Sequence, residues 1–146
     1  MNPNTRRILM IDDDEFMLNL YSSKFKKKGF EFLGLSNADD NLIEKVVQFK
    51  PDIVSLDIVM PGRDGLEAAT LLKATPETKN IPIFCLSNQN SEEYIEKAKS
   101  IGVVGYIVPA LMAMNNIVDI YTKYLVEHND DFIDFTKSNN SVPKID

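Results

Sequence analysis

Short apolar runs of β-type residues and segments of helical period take turns along this chain, five of each, and few folds accept that order. The runs are Ile8-Leu9-Met10-Ile11, residues 30–35, Ile53-Val54-Ser55-Leu56, residues 81–86 and residues 103–108. Several are apolar on both faces, as strands of a sheet covered on two sides must be. Between them, apolar residues recur at helical spacing: Met17, Leu20, Tyr21 and Phe25; Leu42, Val46 and Phe49; Gly65, Ala68, Ala69 and Leu72; Tyr94, Ile95 and Ala98; Ile117, Ile120, Tyr121 and Tyr124. Each set marks one apolar stripe on a helix. Gly29, directly after Lys26-Lys27-Lys28, reads as the end of the first helix. Asn90 with Glu93 reads as a capping box for the fourth helix, and Pro51 and Pro82 as strand starts. The alternation predicts an α/β fold: a parallel sheet of five strands with five helices on its two faces.

A chain of 146 residues, 44% apolar and 26% charged, is an ordinary globular mix with room for one core. Its net charge of −6 argues against nucleic acid as a partner, because phosphate binding needs clustered Lys and Arg. No apolar run approaches the roughly 20 residues that would insert in a membrane. The first seven residues are followed by only four apolar ones, too few for a secretory signal. The single cysteine, Cys85, excludes an internal disulfide and any multi-cysteine metal site. A cytoplasmic protein is the expectation. Cys85 reads as a small core residue, and His128, the lone histidine, is given no catalytic role. Beyond Glu127 the chain turns polar, apart from the island Phe132-Ile133-Asp134-Phe135. Residues 128–146 are read as a tail that folds back, docks on a partner or stays free.

In an open α/β sheet, ligands collect at the carboxyl ends of the strands. The first run ends in Asp12-Asp13-Asp14-Glu15, the third in Asp57, and the fourth in Ser87-Asn88-Gln89. If the first and third strands are neighbours, Asp12, Asp13 and Asp57 converge. Crowded carboxylates repel, so either some take up protons or a cation sits among them. A ligand set of oxygens with no His or Cys favours Mg²⁺ (or Mn²⁺) over zinc. Such an ion would screen an incoming phosphoryl group, one of the carboxylates could attack it, and Ser87 would offer a hydroxyl donor.

These stretches, together with Ser55 through Glu67, Ile81 through Ser87 and Gly102 through Val108, resemble the receiver domain of two-component response regulators over about residues 6–126. The resemblance implies a flavodoxin-like, doubly wound sheet of order 2-1-3-4-5, with the receiver at 1–127. It implies Asp57 as phosphoacceptor, Ser87 as switch hydroxyl and Tyr106 as switch aromatic. It also implies Mg²⁺ held by Asp13 directly, by Asp12 through water, by Asp57 and by the backbone carbonyl of Val59. A histidine kinase or phosphotransfer protein would supply the phosphoryl group. A single-domain receiver, not an enzyme, would then act on a downstream protein, in this family typically through the fourth helix, fifth strand and fifth helix.

The chain departs from the family at the end of its fifth strand. Receivers usually carry Lys followed by Pro there; here Tyr106-Ile107-Val108-Pro109-Ala110 supplies no Lys, and no basic residue lies between Lys99 and Lys123. Arg63 is the nearest candidate replacement, against a plainer reading as a solvated loop residue. Asn88 stands where the family prefers a small residue. The departures leave a second reading open, a pseudo-receiver acting as a constitutive interaction module. A metal-dependent phosphatase is disfavoured, since the acid such enzymes need two residues after the nucleophile is Val59 here.

Overall fold

The computed structural model describes residues 5–127 and 131–136. Along the chain run β1 (Arg7–Ile11), α1 (Glu15–Lys27), β2 (Glu31–Leu35), α2 (Leu42–Phe49), β3 (Ile53–Leu56), α3 (Gly65–Ala74), β4 (Ile83–Leu86), α4 (Glu92–Ile101), β5 (Gly105–Ile107), a 3₁₀ turn (Pro109–Leu111), α5 (Met114–Glu127) and β6 (Ile133–Phe135). The strands form one sheet of order β2-β1-β3-β4-β5-β6, every pair parallel. The five α-helices and the 2-1-3-4-5 order agree with the sequence reading. The strand count does not, because the sheet has six strands.

The sixth strand comes from the segment read as a tail. Ile133 donates its N–H to Val104 O at 2.9 Å and pairs with Gly105, while Phe135 pairs with Ile107. Alternate residues of a strand face opposite sides of the sheet. Ile133 and Phe135 therefore pack on the α1/α5 face, and Phe132 on the other. Phe135 is only 4% exposed, a burial that contributes about 1.5–3 kcal/mol. Three residues with a central Asp are too short a pattern to mark a strand. The rest of that segment, 128–130 with His128 and 137–146, lies outside the described residues.

Two apolar layers sandwich the sheet. On one side Leu9, Ile11, Val54, Leu56, Ile83, Cys85 and Tyr106 meet α2, α3 and α4. On the other, Ile8, Met10, Ile53, Phe84 and Ile107 meet α1 and α5 through an aromatic cluster. Tyr121 sits at its centre, stacked on Phe25 and edge-on to Phe84. Its hydroxyl lies 2.6 Å from Ser55 Oγ, so the two buried polar groups satisfy each other. The stripe assigned to α1 is shifted: Leu18 is buried in place of Leu20, which is 39% exposed. The cap of α4 is also one residue later than expected, for Ser91 Oγ, not Asn90, accepts the Tyr94 N–H. Lys28 caps α1, and Gly29 follows at φ +89°, the left-handed turn that a Cβ would strain.

Candidate functional site

Backbone register brings the acids together. Ile11 pairs with Leu56, so the residues that follow each strand emerge side by side. Asp12 N–H donates to Leu35 O at 3.0 Å and Asp57 N–H to Ile11 O at 2.9 Å, which extends the ladder to both aspartates. Asp14 caps α1, its Oδ1 accepting the Met17 N–H, while Asp12 Oδ1 accepts the Asp14 N–H at 2.9 Å. Behind Asp57, α3 is capped by Asp64, and Gly65 N–H donates to Ile58 O at 2.8 Å. A Cβ at Gly65 would fall 2.0 Å from Asp57 O, so only glycine lets α3 start this close.

Carboxylate oxygens of Asp12, Asp13 and Asp57 all lie within 4.8 Å of one another. They open into a cavity of about 440 Å³ also lined by Asp14, Met17, Tyr21, Leu86, Ser87, Asn88 and Pro109. Burial pushes the Asp12 carboxyl up to about 6, helped by the charges of Asp57, Asp13 and Asp14 and opposed by the Asp14 N–H. Burial also raises Asp57, and the Asp13 charge adds to it; the Ser87 hydroxyl and the N–H groups of Ile58 and Val59 pull it back. The site is therefore an excess of partly desolvated negative charge. Oxygen donors at this spacing, with no nitrogen or sulfur, fit a hard divalent cation. A larger cavity of about 730 Å³ between α3 and α4 is lined by Leu66, Thr70, Tyr94 and Ile101 and holds none of these groups.

The other wall is built from β4 and β5. Ser87 is buried, and its N–H donates to Ile107 O at 3.0 Å. Its Oγ accepts the Gln89 N–H at 3.2 Å. Tyr106 does not line the cavity; it is fully buried, and its hydroxyl donates to Gln89 O. One residue thus joins Ser87 to Tyr106. Sequence reasoning passed over Gln89, since both bonds use its backbone and its side chain carries no signal. Asn88 Oδ1 accepts the Ala110 N–H at 2.9 Å, tying the loop after β4 to the turn after β5. Among the described residues no Lys or Arg lines this cavity. Arg63 does not take that place: its guanidinium lies 3.2 Å from Asp39 O and 3.5 Å from the Asp40 carboxylate. Val59 lies on the loop beyond Asp57, its side chain half-exposed. Cys85 is buried in β4 and its thiol is pushed up to about 12, so it stays protonated at neutral pH.

The family model of the response regulator receiver domain matches residues 8–120. The chain is 34% identical over 120 residues to the chemotaxis protein CheY of Halobacterium salinarum, covering 80% of this chain and 98% of that one. It is 27% identical over 103 residues to the transcriptional regulatory protein PdtaR of Mycobacterium tuberculosis, covering 70% of this chain and about half, 49%, of that one. Among solved structures, a CheY-like response regulator receiver domain protein from Methanospirillum hungatei superposes with a TM-score of 0.76 at 18% identity. That match covers 85% of this chain and 96% of the other, and it establishes likeness of fold.

Proposed function

The chain belongs to the response regulator receiver domain family, and from that premise we propose that it accepts a phosphoryl group on Asp57. The observation that carries the proposal is the convergence of the Asp12, Asp13 and Asp57 oxygens within 4.8 Å, in one cavity with Ser87. The donor is the phosphohistidine of a histidine kinase or phosphotransfer protein. A carboxylate oxygen of Asp57 attacks phosphorus and a P–O bond forms. The P–N bond breaks, and the imidazole nitrogen keeps the electron pair and takes a proton from solvent. Asp12, Asp13, Asp57 and the Val59 carbonyl are the groups that would hold Mg²⁺, whose charge lets an anionic phosphoryl group approach a carboxylate.

The hydroxyl of Ser87 is the donor that moves toward the new phosphoryl oxygens. Its bond to the Gln89 N–H and the bond from Tyr106 to Gln89 O give that movement a route to β5. The protein is a signalling module and not an enzyme, working in the cytoplasm through contact with a downstream protein. Residues 1–127 are taken as the receiver, and from the segment that follows, Ile133–Phe135 adds a strand to its sheet. Among the described residues no helix is long and apolar enough to cross a membrane. Mass spectrometry after incubation with acetyl phosphate and Mg²⁺ tests the proposal. One phosphate adduct is expected on the wild-type chain and none on Asp57→Asn; a wild-type chain that stays unmodified by every donor overturns it.

A second reading, a pseudo-receiver acting as a constitutive interaction module, is favoured by one observation: Pro109, not a cation, lines the β5 side of the pocket. It predicts that beryllofluoride, which mimics a phosphoryl group on Asp57, leaves the NMR shifts of α4 and α5 unchanged. Large shifts there reject it.

A further inference from the structure

Asn88 is a polar side chain of the pocket to which the acceptor reading gives no part. It lines the same cavity as Asp57, Ser87 and Pro109. An asparagine amide offers one acceptor oxygen and two N–H donors on its nitrogen. Here the Ala110 N–H engages Oδ1 at 2.9 Å, which settles the two ends of the amide. The donors are then on the branch away from Ala110. We infer that Asn88 is a phosphoryl-binding residue whose Nδ2 donates to an oxygen of the group carried by Asp57.

The inference rests on the phosphoacceptor reading and follows from counting donors. A phosphoryl group brings three strong acceptor oxygens. Of the lining side chains, Asp12, Asp13 and Asp14 accept only, while Met17, Leu86 and Pro109 donate nothing useful. Tyr21 stands close enough to Asp12 to feel its charge, on the acid side of the pocket. Ser87 brings one hydroxyl proton. The Tyr21 hydroxyl is a donor on the acid side, and Asn88 is the further side-chain donor that stands with Ser87 on the wall that lacks a cation. Its bond to Ala110 also restrains the amide before the phosphoryl group arrives, which lowers the entropy lost on binding. A neutral donor leaves the pocket net negative, so phosphoryl binding stays dependent on Mg²⁺.

The test is a ¹⁹F NMR titration of the full chain with beryllofluoride in Mg²⁺, on wild type, Asn88→Ala, Asn88→Asp and Asn88→Lys. Asn88→Ala is expected to weaken binding about tenfold, the order of one charge-assisted hydrogen bond. Asn88→Asp keeps an acceptor for Ala110 but has no N–H donor, and is expected to bind at least as poorly. Asn88→Lys restores a donor with charge and is expected to bind more tightly than wild type. Wild-type affinity in Asn88→Asp would show that the side chain acts only through Ala110 and would overturn the inference, as would equal affinity in Asn88→Ala. Binding by neither wild type nor Asn88→Lys removes the acceptor reading and this inference with it.

Discussion

The two walls of the strand-end pocket are held by different forces. On the β1/β3 side, main-chain ladder bonds place the acids: Asp12 N–H on Leu35 O and Asp57 N–H on Ile11 O. On the β4/β5 side a ladder bond from Ser87 N–H to Ile107 O places Ser87, and side chains add further ties: Ser87 and Tyr106 to the Gln89 backbone, and Asn88 to Ala110 N–H. The first wall is charged, with Asp12, Asp13 and Asp57 converging on it. The second is neutral, and it is where this chain departs from the family, with Val108-Pro109 in place of Lys-Pro. Register cannot drift by one residue without turning every side chain to the other face, so the acidic wall is tightly specified. A wall made by side-chain ties changes one residue at a time. The acids are thus placed by the backbone ladder, while the Tyr106 and Asn88 ties of the opposite wall depend on single side chains.

The largest break in this comparison is Asp57→Asn, which leaves both walls standing and eliminates the phosphate adduct in mass spectrometry. Gly65→Ala comes next, since it attacks the backbone support of the acidic wall. Its Cβ, 2.0 Å from Asp57 O, has to push α3 away, at a cost of about 1–3 kcal/mol or more in urea unfolding. Mg²⁺ affinity by titration calorimetry is expected to fall with it; unchanged stability would mean that α3 is not held by this contact. On the neutral wall, Pro109→Lys is expected to tighten beryllofluoride binding about tenfold and to enlarge the shifts in α4 and α5. A variant that binds no better would show that a cation there cannot reach the site.

The smallest effect is a pH dependence of the metal-free protein. The folded pKa of Asp12, about 6, lies above its ordinary 3.8. The folded state therefore holds the proton more firmly than the unfolded chain does, and ionising Asp12 costs stability. Stability is expected to fall as pH rises from about 4 to about 6 and then to level off, with Asp12→Asn flattening that limb. Mg²⁺ affinity runs the opposite way, because protons compete for the same oxygens, and it weakens as pH falls below about 6. Unfolding midpoints with and without Mg²⁺ across this range check both signs.

Much of this arrangement is legible before any coordinates. Runs such as Ile53 to Leu56 are apolar on both faces because the sheet is covered twice, and Asp12 and Asp57 follow their strands directly, so β1/β3 pairing suffices to bring them together. What was missed depends on contacts without a period. Gln89 acts through its backbone, and the Ser55–Tyr121 pair joins residues 66 positions apart. Ser91 displaced Asn90 as a cap because both residue types cap well and the helix starts one residue later, where Ser91 Oγ accepts the Tyr94 N–H. The final strand escaped notice because its stability comes from Phe132 and Phe135 finding opposite layers, a property of the finished sheet.

That strand also decides which backbone the molecule shows to its neighbours. Without residues 133–135, the rim of the sheet on this flank would be β5, with Gly105, Tyr106 and Ile107 offering unpaired backbone groups. With them, the rim moves one strand outward, to three residues whose middle member is a solvent-facing aspartate. So short and charged a border gives a second chain little to polymerise upon. It also keeps any visitor one strand's width from Tyr106.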